Sequence, residues 1–159
     1  MLAITVDDRA FRGYLNRLSG RMGDLTVPME EIGRALEDRV RRRFETKTDP
    51  TGKAWAPWAQ STKDSYPYAG TPAAAKDGVG RGMLLQRYGE MLKDISYSAN
   101  RSSVRVGFAQ DYATFHEFGT QTMERRGMLY ASPDTGTLAD DDNAAVIDVL
   151  EHWLNVEAE

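Results

Sequence analysis

His116 and Glu117 are the neighbouring residues of this chain whose types come closest to a catalytic or metal-binding pair. Histidine titrates near neutral pH and is a common metal ligand. A zinc site of the His-Glu-x-x-His kind needs a second histidine four residues later on the same helix face, but that position is Thr120. The other histidine, His152, falls in a different predicted helix. We therefore expect His116 to be a partly buried, hydrogen-bonded residue beside aromatic side chains.

A small hydrolase that uses His116 as its base is one alternative function. Such a site needs side chains that converge in one pocket, and Glu117, Asp111 or His152 would have to orient the imidazole. Neighbouring helix positions point about 100° apart, so Glu117 is poorly placed for this role and Asp111 is little better. We therefore predict a protein without enzymatic activity, metal or cofactor.

The helix that the sequence predicts over residues 27–44 contains five arginines: Arg34, Arg39, Arg41, Arg42 and Arg43. A basic stripe can neutralise DNA phosphates, so a DNA-associated protein is a second alternative, with non-specific contact along the lumen of a ring. Three of the arginines have an acid four positions earlier, which favours ion pairs along the helix: Glu30 with Arg34, Glu37 with Arg41, and Asp38 with Arg42. Arg39 and Arg43 are left over, and we predict them as subunit contacts.

The chain has 159 residues and no cysteine. This length fits a single domain over 1–159 with one core. Without thiols, neither disulfides nor a thiolate metal site can form, which suits a reducing cytoplasm. No apolar run approaches the roughly 20 residues that span a bilayer, and the N-terminus lacks the pattern of a secretory signal. We expect a soluble protein that does not associate with a membrane.

Charge is distributed unevenly along the sequence. Residues 1–50 hold 10 Lys and Arg against 9 Asp and Glu, residues 51–132 hold 10 against 7, and residues 133–159 hold none against 8. The three net charges are +1, +3 and −8, in keeping with the overall −4. An acidic end on a slightly basic body can order neighbouring copies head to tail. It can equally be a solvated helix face that maintains solubility, and both interpretations stay open.

Helices and strands can be predicted from the periodicity of apolar residues. A short strand is predicted over 2–6, then a helix that ends near Gly20 and Gly23, and then the long helix over 27–44, whose apolar stripe recurs at helical spacing. Two stretches of alternating apolar residues, 95–99 and 104–108, flank a short polar turn and predict a β-hairpin.

The second hairpin strand leads into a short helix that is rich in aromatic residues. Tyr112, Phe115 and Phe118 recur every three residues, and Gly119 fits a left-handed C-cap. Farther on, Met128–Tyr130 is a candidate for an added strand and Ser132–Gly136 for a turn. The predicted fold is α+β, with helices packed on a small antiparallel sheet that includes a β-hairpin, and with a long irregular loop.

An acidic helix over residues 141–156 is predicted to end the domain. Asp140, Asp141 and Asp142 suit the positive end of the helix dipole. The apolar arc of this helix, which includes Trp153, is wider than a surface helix needs. We therefore expect both the home core and another subunit to cover it, with Trp153 as a candidate subunit contact.

The stretch 46–82 is predicted to be a long, flexible loop, because it contains four prolines and several glycines. Loops of this length are uncommon in compact domains and are usually functional or disordered. It contains no Gly-x-x-x-x-Gly-Lys-Ser/Thr pattern, so a phosphate-binding loop is not predicted. Trp58, Tyr66 and Tyr68 are of types enriched at interfaces. They either fold back onto the core or contact a neighbouring subunit.

Residues 44–57 form the first of three motifs. The long predicted helix ends here, and an Asp49-Pro50-x-Gly52 turn follows it, because these residue types favour turns. Trp55 and Pro57 come next, and we expect Trp55 to belong to the core.

The second motif is Leu84-Leu85 followed by Tyr88-Gly89, just before the hairpin. The third motif is the run Tyr112-Ala-Thr-Phe-His-Glu-Phe-Gly119, which follows a Val-x-Val-Gly strand. In this order, the three motifs resemble the phage virion morphogenesis family, which includes tail completion proteins of contractile-tailed phages and related prophages. Where family members carry an Ile-Pro-Ala-Arg-Pro-Phe-like run, this chain has Arg125-Arg126-Gly-Met-Leu-Tyr130.

The resemblance implies a structural protein that completes the tail or joins head and tail. Such a part sits on the axis of a tube, which predicts a closed homo-oligomeric ring with heterologous contacts, and we expect a hexamer. Its partners would be other tail or neck proteins, and it would be a virion component assembled in the cytoplasm of the bacterial host. Many weak contacts would act together, because ring closure makes the later ones effectively intramolecular.

Overall fold

The computed structural model describes residues 22–59, 84–86 and 89–155, together with residues 13, 16, 19 and 20. Its elements in chain order are helix α1 (Thr26–Thr46), helix α2 (Glu90–Lys93), strands β1 (Ile95–Ala99) and β2 (Val104–Phe108), helix α3 (Ala113–Phe118) and helix α4 (Asp140–Asn155). Helices with one small antiparallel sheet confirm the predicted α+β class. Gly20 is still helical and Gly23 lies in a turn, whereas the strand predicted over 2–6 lies outside the described residues.

Helix α1 is the central element, and it forms where its apolar stripe predicts it. Ile32, Val40 and Phe44 of that stripe are buried. At its start, the carboxylate of Asp24 accepts hydrogen bonds from the backbone N–H and the hydroxyl of Thr26, which satisfies one of the free N–H groups of a helix N-terminus.

The β-hairpin packs against α1 through an unusually close contact. Strands β1 and β2 pair antiparallel, from Ile95 opposite Phe108 to Ala99 opposite Val104, as predicted. A Cβ atom on Gly33 of α1 would lie 2.3 Å from Cδ2 of Tyr97, so only glycine lets the tyrosine ring approach the helix this closely. Tyr97 therefore fixes the distance between the hairpin and α1.

The core lies where the second half of α1 meets the hairpin and the segments around positions 55 and 128. Its buried members are Val40, Phe44, Trp55, Leu84, Met91, Ile95, Ala113 and Met128. Phe44 is fully buried, and its ring meets that of Trp55 edge-on with centroids 5.3 Å apart. Such aromatic pairs add about 0.5–1.5 kcal/mol beyond the burial of their area.

The first part of the predicted loop is attached to this core. Asp49 accepts hydrogen bonds at its carboxylate from the backbone of Thr51 and Lys53, and Gly52 has φ +85°, so the predicted turn is confirmed. Trp55 is buried, as predicted, and its indole N–H donates to the carbonyl of Gly127 over 2.9 Å. Residues 49–55 are therefore attached to the core through this turn and Trp55.

The rest of the predicted loop, residues 60–82, lies outside the described residues, and so do Tyr66 and Tyr68. Trp58 is half-buried and packs against the core. The role of these three residues in subunit contacts stays a prediction.

The strand proposed for Met128–Tyr130 is wrong, because this segment pairs with no strand in the described part of the chain. The turn after it is present and is closed by an isolated bridge between Ser132 and Thr137. Helix α4 follows with Asp140, Asp141 and Asp142 in its first turn, as predicted.

No helix of the described residues is long and apolar enough to cross a membrane.

Candidate docking surface on helix α3

Helix α3 rests on the domain through Ala113 and Glu117. These residues are one helical turn apart, and their exposed fractions are only 5% and 3%. The helix ends at Gly119, whose N–H donates to the carbonyl of Phe115 over 2.9 Å. Gly119 has the positive φ (74°) expected of a glycine cap, but its ψ of 178° is extended and not left-handed helical. A Cβ atom there would lie 3.1 Å from the backbone of Met123 and Arg125.

Glu117 connects α3 to the segment that follows it. One carboxylate oxygen accepts the backbone N–H groups of Met128 (2.6 Å) and Leu129 (2.9 Å). The other accepts the N–H of Tyr130 (3.1 Å) and a guanidinium N–H of Arg125 (3.2 Å). Two carboxylate oxygens offer about four lone-pair sites, so all of them are occupied. This arrangement also explains the missing strand, because the carboxylate takes the N–H groups that a neighbouring strand would need.

Two arginines join the segments that carry the first and third motifs. Arg126 is buried, and its guanidinium donates to the carbonyls of Ala56 and Pro57, each over 2.8 Å. Its backbone N–H donates to the carbonyl of His116 over 2.8 Å. Arg125 donates to the carbonyl of Glu117 over 2.8 Å and lies 4.0 Å from the carboxylate of Asp49. The base of α3 is therefore a continuous polar network.

His116 is half-buried beside Tyr112, whose ring it meets edge-on at 6.5 Å, as predicted. The predicted hydrogen bond is absent at Nδ1, which is buried and has no partner among the described residues. Burial and, to a smaller extent, the nearby charge of Arg126 together lower the pKa of His116 to about 4. The imidazole is therefore neutral at physiological pH.

The geometry gives His116 no catalytic partner from Glu117, because the carboxylate of Glu117 is fully used by its four donors. Asp111, the other nearby candidate, is exposed. Within the part of the chain that the structure describes, no three His, Cys, Asp or Glu residues are grouped closely enough to hold a metal ion.

Three aromatic residues face solvent here: Tyr112, at the N-cap of α3, and Phe115 and Phe118 within the helix. Their exposed fractions are 37% for Tyr112, 56% for Phe115 and 51% for Phe118. Since an aromatic side chain has about 150–250 Å² of surface, the three together expose roughly 300 Å², about the size of the largest apolar patch on a typical monomer. We call these three residues the aromatic face. Phe118 and the following loop, residues 119–125, line a shallow depression of about 300 Å³ beside it.

Helix α4 is attached to α1 by buried charges. The carboxylate of Asp142, which is 1% exposed, accepts hydrogen bonds from Arg43 over 2.5 and 2.6 Å and from Arg39 over 2.6 Å. Arg43 is itself buried and also donates to the carbonyl of Met128 over 2.7 Å. Arg39 and Arg43, which have no acid four positions earlier on α1, are paired with Asp142, about one hundred residues away. Arg43 belongs to the interior and is not available as a subunit contact.

Of the three ion pairs predicted along α1, Glu37 with Arg41 is present at 2.8 Å. Arg41 also donates to the carbonyls of Leu92 and Ile95. The other two predicted pairs do not form among the described residues. Arg34 interacts with Tyr97 of the hairpin, which raises the pKa of its guanidinium, and the charges of Glu30 and Glu31 raise it to a smaller extent.

The sequence alone does not reveal which residues hold the site together. It suggests Glu117 only as a partner for His116 and Asp142 only as a helix-dipole residue, and it shows Arg125 and Arg126 only as a departure from a motif. One signal was present for Glu117, which is four residues after Ala113 and therefore on the same side of the helix. For Asp142, no spacing rule connects it to α1.

Comparison with protein families identifies a match. The model of the phage virion morphogenesis family matches residues 6–155, nearly the whole chain. No curated protein and no solved structure matches the chain.

Proposed function

This chain belongs to the phage virion morphogenesis family, and on that premise we propose that it is a structural protein of tail completion or head–tail joining. It self-assembles into a ring, for which a hexamer is the expected size, and docks onto other tail or neck proteins. It becomes part of the virion in the cytoplasm of the bacterial host. Its function is binding, without chemical turnover.

The observation that carries the proposal is the aromatic face of α3. Phe115 and Phe118 are more than half exposed, on a helix whose other side is held by the buried Glu117. Large aromatic side chains have few rotatable bonds and lose little conformational entropy on binding, and they dominate interface energies. Covering roughly 300 Å² of apolar surface contributes about 7 kcal/mol at 25 cal/mol per Å², before the costs of association.

Two properties of the site favour docking over hydrolysis. A histidine whose pKa is about 4 is a weak base at neutral pH, whereas general bases work best when their pKa is near the operating pH. Glu117, its neighbour, is occupied by four hydrogen bonds.

The DNA-associated alternative loses its main support, because Arg39 and Arg43 are both paired with Asp142. The overall charge of −4 also opposes strong binding to phosphates. In our proposal, DNA passes through the ring lumen without specific contact.

The test uses a phage or prophage that carries this gene. The gene is deleted, and plasmid copies are supplied that encode the wild type, the double variant Phe115→Asp with Phe118→Asp, or the control Thr114→Asp. Thr114 is an exposed residue of the same helix. We expect the wild type and the control to restore joined particles in electron micrographs. The double variant should leave separate heads and tails, since a charge cannot be buried in an apolar contact without a partner.

If the double variant gives joined particles at wild-type yield, docking through the aromatic face is refuted. The test requires that the double variant folds, so its circular dichroism spectrum and unfolding midpoint should match those of the control.

A further inference from the structure

We infer that the ring forms when the outer face of α4 in one copy lies on the outer face of the β-hairpin in the next copy. This inference rests on the proposed function, because it specifies the subunit contact of the proposed ring. The partner is a second copy of this chain, and the contact is heterologous, since the two surfaces differ.

The outer face of α4 is both acidic and apolar. Asp142 is buried on the inner side, and at 100° per residue Ile147, Leu154, Asp148 and Glu151 all lie on the opposite side of the helix. These four residues are exposed; Ile147 is 52% and Leu154 36% accessible. Residues 133–155 contain no Lys or Arg, so no cation of this segment offsets the acidic charge.

The outer face of the hairpin has the opposite character. Residues 95–110 contain Arg101 and Arg105 and no Asp or Glu. On the side away from α1, Ser96 is opposite Gly107 and Ser98 is opposite Arg105. Ser96, Ser98 and Arg105 are exposed, and a Cβ atom on Gly107 would meet nothing within 4 Å. Small side chains beside one arginine make a flat, basic surface that a helix can approach closely.

Of the two hairpin arginines, Arg105 lies on strand β2 and Arg101 lies in the turn. Asp24 lies near Arg101 and interacts with it electrostatically. Asp94 and Asp111 lie at the opposite end of the hairpin, where the carboxylate of Asp94 accepts a hydrogen bond from Gln110. Arg105 forms no ion pair with any residue that the structure describes.

One copy does not bring its own two surfaces together, because both elements are held by α1. Gly33 of α1 contacts the hairpin through Tyr97, whereas Arg39 and Arg43 contact α4 through Asp142. These positions lie roughly 80–120° apart around a helix of 3.6 residues per turn. Both outer faces point away from α1, so the acidic face of one copy is available to the basic face of another.

The dimensions of the surfaces agree. Helix α4 has 16 residues and is therefore about 24 Å long, and each five-residue strand extends about 17 Å. Ile147 and Leu154 would cover the small residues of the hairpin, and Asp148 or Glu151 would pair with Arg105. A heterologous contact of this kind closes into a ring when its rotation permits.

The experiment measures self-association by sedimentation velocity over a concentration series. The variants are Arg105→Glu, the double variant Asp148→Lys with Glu151→Lys, and the control Arg42→Glu, which changes an exposed arginine on α1. We expect the wild type and Arg42→Glu to form the same oligomer. The other two variants should raise the apparent Kd about tenfold or more, because an attraction is replaced by a repulsion.

Mixing the two defective variants is the decisive step. In the mixture, the reversed hairpin charge of Arg105→Glu complements the reversed α4 charge of Asp148→Lys with Glu151→Lys. The unchanged hairpin and α4 surfaces of the two variants also complement each other. An equimolar mixture should therefore recover the wild-type sedimentation coefficient. Three results would each overturn the inference. The wild type could stay monomeric throughout the series, the Arg105→Glu variant could assemble normally, or the mixture could fail to recover the wild-type sedimentation coefficient.

Failure of this inference can be separated from failure of the proposed function. If Arg105→Glu assembles normally while Phe115→Asp with Phe118→Asp still prevents joining of heads and tails, the subunit contact is wrong and docking stands. If the aromatic double variant joins particles normally, docking through α3 is wrong whatever the sedimentation shows.

Discussion

Replacing Glu117 by glutamine tests whether this side chain holds the docking surface in place. The substitution keeps the size of the side chain but changes one acceptor oxygen into an NH₂ donor. Whichever way the amide is turned, its NH₂ group faces two N–H donors that now bind the carboxylate. These are either the N–H groups of Met128 and Leu129 or those of Tyr130 and Arg125.

The magnitude follows from these hydrogen bonds. Each buried donor that loses its acceptor costs about 1–3 kcal/mol, and two donors are affected. Because the segment can shift to reduce the repulsion, we expect the free energy of unfolding to fall by about 3 kcal/mol. For a chain of this length, that corresponds to roughly 6–12 °C in Tm, at 2–4 °C per kcal/mol.

Urea and thermal unfolding, followed by circular dichroism, would measure the change. The matched control is Glu124→Gln, because Glu124 is exposed and the substitution removes the same charge. We expect this control to unfold within about 0.5 kcal/mol of the wild type. A Glu117→Gln protein that is as stable as the control would refute our view that the carboxylate supports residues 128–130.

Two further predictions concern buried polar groups. Asp142→Asn should lower the free energy of unfolding by about 3–5 kcal/mol, because it leaves the buried Arg43 without a countercharge, whereas Asp141→Asn, at an 89% exposed side chain, should change it by less than 0.5 kcal/mol in urea titrations. For His116, the folded pKa of about 4 lies below the ordinary 6.5, so protonation favours the unfolded chain. The contribution of the neutral imidazole to the free energy of unfolding is therefore present above pH 6.5 and is lost as the pH falls toward 4. The wild type should lose about 1–2 kcal/mol more than His116→Gln between pH 7 and pH 4, allowing for partial solvent screening; equal losses in paired urea titrations would contradict this.

Local patterns in the sequence predicted much of the fold. The stripe of α1, the hairpin, the Asp49 turn and the start of α4 were all recognisable, because helix, strand and turn preferences depend on residues close together in the chain. The positive φ of Gly119 follows in the same way, since glycine tolerates conformations that a side chain disfavours.

The orientation of the aromatic residues could not be predicted in this way. Spacing placed Tyr112, Phe115 and Phe118 on one side of a helix, but it did not indicate whether that side is buried. In the structure, Ala113 and Glu117 take the inner side, and the aromatic residues face solvent. A small residue and a charge occupy the interior because the charge satisfies four donors there, which makes its burial favourable.

By itself, the sequence determined the family resemblance, the α+β class and the aromatic spacing of α3. Only the tertiary structure decided which charges are used internally: Glu117 holds residues 128–130, and Asp142 holds Arg39 and Arg43. The physical reason is distance along the chain. Helix and turn signals act over a few residues, whereas a buried charge is satisfied by whatever partner the folded chain brings to it, here from 8 to 103 positions away.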